Sequence, residues 1–78
     1  KQKAEANKNE KRIEALSIYL RELRNAYGLT QFEVSKEIKV HRNTLIRIEN
    51  NHCFSLYHLY ILADFYDIPI SQLFREIE

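Results

Sequence analysis

Three observations predict an all-α fold for this chain of 78 residues. Apolar residues recur at three- and four-residue spacings along most of its length. One glycine and one proline leave it few natural breaks, and helix-capping signatures precede the periodic segments. Five helices around one small core follow. A chain this short buries only about 60–65% of its unfolded surface, so its stability is modest and partnering would add to it. Hydrophobic residues at 45% and aromatics at 12% mark it as globular.

The first helix is expected to begin between Glu10 and Ile13 and to end near Tyr27, where Gly28 supplies a left-handed cap. Ile13, Leu16, Leu20 and Leu23 form its buried stripe. The preceding KQKAEANKNEK is charged and lacks large apolar residues. Residues 1–10 are therefore expected to be a flexible charged tail, disordered or a frayed extension of the helix, with residues 11–78 as the single domain.

Thr30 and Glu33 have the spacing of a capping box, flanked by Leu29 and Val34 as a hydrophobic staple, so a second helix starts at Gln31. Val34 and Ile38 face inward. Lys39 and Val40 make a turn, Val40 and Leu45 offer a second staple, and Leu45 and Ile48 are the buried side of a third helix. Asn50 and Asn51 end it, since Asn tolerates the left-handed conformation. Ser55 caps a fourth helix to about Tyr66, with Phe54 and Leu59 as staple and Leu56, Leu59, Leu62, Ala63 and Tyr66 as core face. Asp67 ends that helix, and Pro69 presets the start of a fifth carrying Leu73 and Phe74, with Ile70 and Ile77 as candidate exposed residues.

Two short helices joined by a tight turn, the second opening on polar and basic side chains, are a helix-turn-helix, which points to double-stranded DNA as partner. A recognition helix inserts its N-terminal end into the major groove. Arg42 and Asn43 are thus the first side chains to reach base edges, with Arg47 a turn further on. Arg pairs bidentately with guanine and Asn with adenine, and Ile46 alongside can meet a thymine methyl. Gln31, in the first turn of the second helix, sits where N–H groups and the helix dipole favour a phosphate, the alternative being that it only stabilises its own helix. Thr44, Asn50 and His41 are further candidates for phosphate contact.

The motifs Leu20-Arg21-x-Leu23-Arg24, Gly28-Leu29-Thr30-Gln31, Thr44-Leu45-x-Arg47-Ile48-Glu49-Asn50, Ser55-Leu56-x-x-Leu59-x-x-Leu62-Ala63 and Leu73-Phe74 resemble the Cro and lambda-repressor type of helix-turn-helix domain. The resemblance runs from about Leu16 to Phe74. It implies a compact five-helix DNA-binding domain of a transcriptional regulator, supports Arg42, Asn43 and Arg47 at base edges, and implies a backbone contact by Gln31. Arg24 and Glu49 resemble an ion pair that links the first and third helices in this family; on the surface such a pair is worth about 0–1 kcal/mol.

The chain departs from the family at several positions. His41 stands where Ser or Thr usually caps the recognition helix, so that start is either less firmly capped or uses the imidazole on a phosphate. Lys39 and Asp67 stand where Gly is frequent. Phe32, Tyr57, Tyr60 and Ile61 occupy positions that are usually polar, and either enlarge the core or make contacts outside it.

Net charge is only +1 but unevenly placed. Residues 1–50 carry eleven Lys and Arg against seven Asp and Glu, and residues 51–78 carry one against four. Such polarity can steer the basic half toward phosphates or reflect two ordinary solvated surfaces, and charge alone does not choose. A basic N-terminal arm is diluted by Glu5 and Glu10.

Other chemistries are poorly supported. His52, Cys53 and His58 are ligand types without a matching second pair, so no metal site is expected. One glycine cannot make a phosphate-cradling loop, and no catalytic arrangement of Ser, His and Asp stands out, so neither enzyme activity nor a cofactor is expected. No apolar run is long enough for a bilayer, and a lone Cys53 fits a reducing compartment, so the expected location is cytoplasmic. The function expected is that of a repressor binding a palindromic operator as a homodimer. The alternative is an interaction module that uses Phe32 and the fourth-helix aromatics to hold a partner protein such as a toxin or a polymerase component.

Overall fold

Three helix ends close in the same way, and those closures set the path of the chain. The computed structural model describes residues 2–50 and 55–76, and the side chains of residues 9–50 and 55–76. Its helices are α1 (Gln2–Ala26), α2 (Gln31–Ile38), α3 (Arg42–Glu49), α4 (Leu56–Phe65) and α5 (Ile70–Arg75).

After α1, the Gly28 N–H donates to the Asn25 carbonyl at 3.0 Å and the Leu29 N–H to the Arg24 carbonyl at 3.2 Å. After α2, Lys39 donates to Lys36 and Val40 to Ser35; after α4, Asp67 donates to Asp64 and Ile68 to Ala63. Each is the paired closure in which one left-handed residue reverses the chain and last-turn carbonyls are satisfied. The left-handed residues are Gly28 at φ 69°, Lys39 at φ 57° and Asp67 at φ 58°. An apolar residue follows each one, and Leu29 and Ile68 fold back onto the core. Lys39 and Asp67 thus adopt the conformation glycine would have supplied.

Helix starts follow the predicted chemistry. The Glu33 N–H donates to Thr30 Oγ1 at 3.1 Å and the Thr30 N–H to Glu33 Oε1 at 2.8 Å, completing the capping box of α2. Ser55 Oγ accepts from the His58 N–H at the start of α4. Pro69 precedes α5 in an extended conformation, with no side-chain cap.

The core takes Leu16 and Leu20 from α1, Val34 from α2, Leu45 and Ile48 from α3, Leu59, Leu62 and Ala63 from α4, Tyr66 just after it and Leu73 from α5. Ile13 and Leu23 are half-buried at the margins of the α1 stripe.

Several expectations are corrected. Helix α1 begins at Gln2, ahead of the start expected between Glu10 and Ile13; Lys, Gln, Ala and Glu are good helix formers and nothing there breaks the helix. At a rise of about 1.5 Å per residue, its 25 residues span roughly 37 Å, which accounts for most of the 41 Å long axis. Leu56 is 53% exposed instead of facing the core, because the buried positions of α4 centre on Leu59, Leu62 and Ala63 and leave its first residue on the rim. Phe74 is exposed, whereas Ile70 packs against the core that it was expected to avoid. Asn50 does not enter the left-handed region; at φ −118° it closes α3 by donating its backbone N–H to the Arg47 carbonyl. The expectations placed on Asn51, His52, Cys53, Phe54 and Ile77 lie outside the described residues.

Candidate nucleic-acid interface

Burying Leu45, Ile48 and Glu49 decides which side of α3 remains outside. Arg42, Asn43 and Arg47 are exposed and Ile46 and Thr44 half-buried, so every base-contact candidate lies on one continuous face. Among the described residues the one ion pair joins Arg24 and Glu49, and neither Arg42 nor Arg47 spends its guanidinium on an internal hydrogen bond. Their donors are open to a ligand.

His41 does cap α3. Its Nδ1 accepts the Asn43 N–H at 3.0 Å, so the neutral ring carries its proton on Nε2. One imidazole can therefore hold the helix start and still donate from Nε2. At the other end, Asn50 Nδ2 donates to the Ile46 carbonyl at 2.7 Å, which engages part of the amide expected to meet a phosphate.

The capping box of α2 uses the N–H groups of Thr30 and Glu33. Those of Gln31 and Phe32 have no partner among the described residues. Two backbone donors at the positive end of the helix dipole are the arrangement that binds a phosphate. The Gln31 side chain stands beside them and reaches across to α3, where its Nε2 donates to Glu49 Oε1 at 3.0 Å.

Glu49 is the electrostatic centre of the domain. Only 1% exposed, its carboxylate accepts from Arg24 Nε at 3.1 and 3.0 Å, while Arg24 Nη1 donates to the Leu29 carbonyl at 2.8 Å. The pair was expected on family grounds and weighed as a surface contact, but it is enclosed. In that setting, removing one partner leaves a buried charge unpaired and costs about 3–5 kcal/mol. Close by, burial pushes the Tyr66 hydroxyl up to about 12, with the Glu49 charge adding to the shift and Arg24 offsetting part of it. That hydroxyl is buried and has no hydrogen-bond partner among the described residues.

Two supports were not anticipated from the sequence. Ser17, fully buried on α1, donates its Oγ–H to the Ile48 carbonyl at 2.7 Å, satisfying an acceptor in the last turn of α3. Its only sequence signal is a small polar residue between Leu16 and Leu20. The Tyr27 hydroxyl donates to the Tyr66 carbonyl at 2.9 Å and ties the end of α1 to that of α4.

Phe32 is 55% exposed with Lys36 Nζ 5.6 Å from its ring centroid, and Tyr57 and Tyr60 are 68% and 50% exposed. Ile61 is half-buried. No helix among the described residues is long and apolar enough to cross a membrane, and no group of three His, Cys, Asp or Glu there could hold a metal ion.

A helix with an open basic face, fixed by a tight turn to a second helix that presents free N–H groups, defines a DNA-binding helix-turn-helix domain. The family model described as helix-turn-helix, of the Cro and lambda-repressor type, matches residues 20–73, and the chain belongs to that family of DNA-binding regulators. Neither the curated proteins nor the solved structures yield a match to it.

Proposed function

We propose that this chain is the DNA-binding domain of a cytoplasmic repressor that binds a palindromic operator as a homodimer. Arg42, Asn43, Arg47 and Ile46 read base edges, and Gln31, Thr44, Asn50 and His41 meet the phosphate backbone. The observation that carries this is the exposed face of α3, whose two guanidinium groups have no internal partner among the described residues. Sites selected from a random oligonucleotide pool supply the test. Arg42→Ala or Asn43→Ala should lose about 1–3 kcal/mol on the selected site and relax preference at one base pair, with much less change on random duplex. Full affinity and full preference in either variant would remove that residue from the readout.

The dimer rests on α4. Leu56 and Tyr60 are four residues apart and Tyr57 and Tyr60 three apart, so these exposed side chains form one apolar patch. Two copies of it related by a two-fold axis would cover each other and set two recognition helices about 34 Å apart, one turn of duplex. Sedimentation on a palindromic duplex should show two chains per site, reduced by Tyr60→Glu; one chain per full palindrome, unaffected by that change, would end the dimer model. Exposed Phe32 and the same tyrosines favour the second function, a module that holds a partner protein. Binding to random duplex that falls steeply with salt supports the DNA role, and weak, salt-insensitive binding supports the partner protein.

A further inference from the structure

Gln31 is a useful phosphate ligand only if its amide presents N–H outward. A free glutamine does not guarantee this, because the amide can turn about its last torsion and offer the carbonyl oxygen, which a phosphate repels. In this chain the ambiguity is removed by Glu49. A carboxylate only accepts, so the Gln31 end that meets Glu49 Oε1 at 3.0 Å must be the NH2, which keeps a second N–H that is not engaged. The carboxylate cannot turn away either, since both of its oxygens are held by Arg24 Nε and Arg24 is anchored on the Leu29 carbonyl. Glu49 also belongs to α3, the helix that carries Arg42, Asn43 and Arg47.

We propose that Glu49 is a positioning residue for DNA binding. Its buried carboxylate orients the Gln31 amide for the backbone and joins that clamp to the recognition helix, so that phosphate contact and base readout keep one geometry. This rests on the assignment of Gln31 to a phosphate, made above. Glu49 touches no DNA itself.

The test is a double-mutant cycle on random-sequence duplex, read by fluorescence anisotropy at two salt concentrations on chains confirmed as folded by circular dichroism. Gln31→Ala should weaken binding about tenfold, the loss expected for one charge-assisted hydrogen bond. Glu49→Gln keeps the shape but lets the Gln31 amide meet either end of another amide. It should weaken binding by a similar factor in the parent and by almost nothing when Gln31 is already Ala. Should Glu49→Gln fail to fold, the Arg24→Met, Glu49→Leu pair replaces the buried charges with apolar groups of similar size, removes the same acceptor from Gln31, and enters the same cycle.

Strong coupling between the two positions is the predicted result. An equal effect of the Glu49 change in both backgrounds overturns the proposal while leaving Gln31 as a phosphate ligand. If Gln31→Ala alone leaves affinity unchanged, the assignment of Gln31 and this inference both fail.

Discussion

Replacing Lys39 with Gly should stabilise the domain, and the amount can be worked from one dihedral. Lys39 sits at φ 57° and ψ 42°, fully in the left-handed region, where a side chain crowds the following carbonyl at a cost of about 1–2 kcal/mol. Glycine removes that cost but frees the unfolded chain, which offsets roughly 0.5–1 kcal/mol. The Lys39 side chain is exposed and makes no hydrogen bond among the described residues, so nothing else is lost. The net gain is therefore about 0.5–1 kcal/mol, a rise in melting temperature of roughly 2–8 °C for a domain of this size. Gly28 is the matched control. At φ 69°, a Cβ added there meets nothing within 4 Å, so Gly28→Ala carries the same term with opposite sign and no steric addition. Urea unfolding followed by far-ultraviolet circular dichroism should move the two midpoints in opposite directions at constant slope. A lower midpoint for Lys39→Gly, or an unchanged one for Gly28→Ala, would refute the argument from backbone strain.

Two further changes test the enclosed polar groups. Tyr66→Phe keeps the ring and removes a hydroxyl that is buried without a partner, so at neutral pH the variant should be as stable as the parent or more so by about 1 kcal/mol. Because folding raises this hydroxyl from 10.0 to about 12, its contribution is intact below pH 10 and is lost as pH climbs toward 12. The parent should accordingly lose about 2–3 kcal/mol more than Tyr66→Phe across that interval in denaturant titrations. Equal alkaline losses would show that the group is not enclosed. Ser17→Ala breaks the 2.7 Å bond to the Ile48 carbonyl and leaves that acceptor buried, which should cost about 1–3 kcal/mol by urea unfolding. An unchanged midpoint would mean the carbonyl finds another donor.

Periodicity and capping chemistry are local, and they carried most of the fold. The Thr30–Glu33 box, the stop at Gly28 and the alternation of buried and open positions on α3 depend on neighbours within one or two turns, so α2 and α3 and the open face bearing Arg42, Asn43, Ile46 and Arg47 could be read from residue order alone. The length of α1 was misjudged because residues 2–12 have no apolar period, although their composition favours a helix. Leu56 and Ile70 were misplaced for another reason: apolar residues at the first turn of a helix face inward or outward according to where neighbouring helices lie, and periodicity does not record that. Tertiary structure alone decided the state of Glu49. Sequence and family resemblance could pair it with Arg24, but whether that pair is a weak surface contact or a buried hub depends on α1, α2 and α3 closing over it. The same closure brings Gln31 to Glu49 from 18 residues away and Ser17 to Ile48 from 31. Such bonds are set by how the helices pack in space, and no spacing along the chain encodes them.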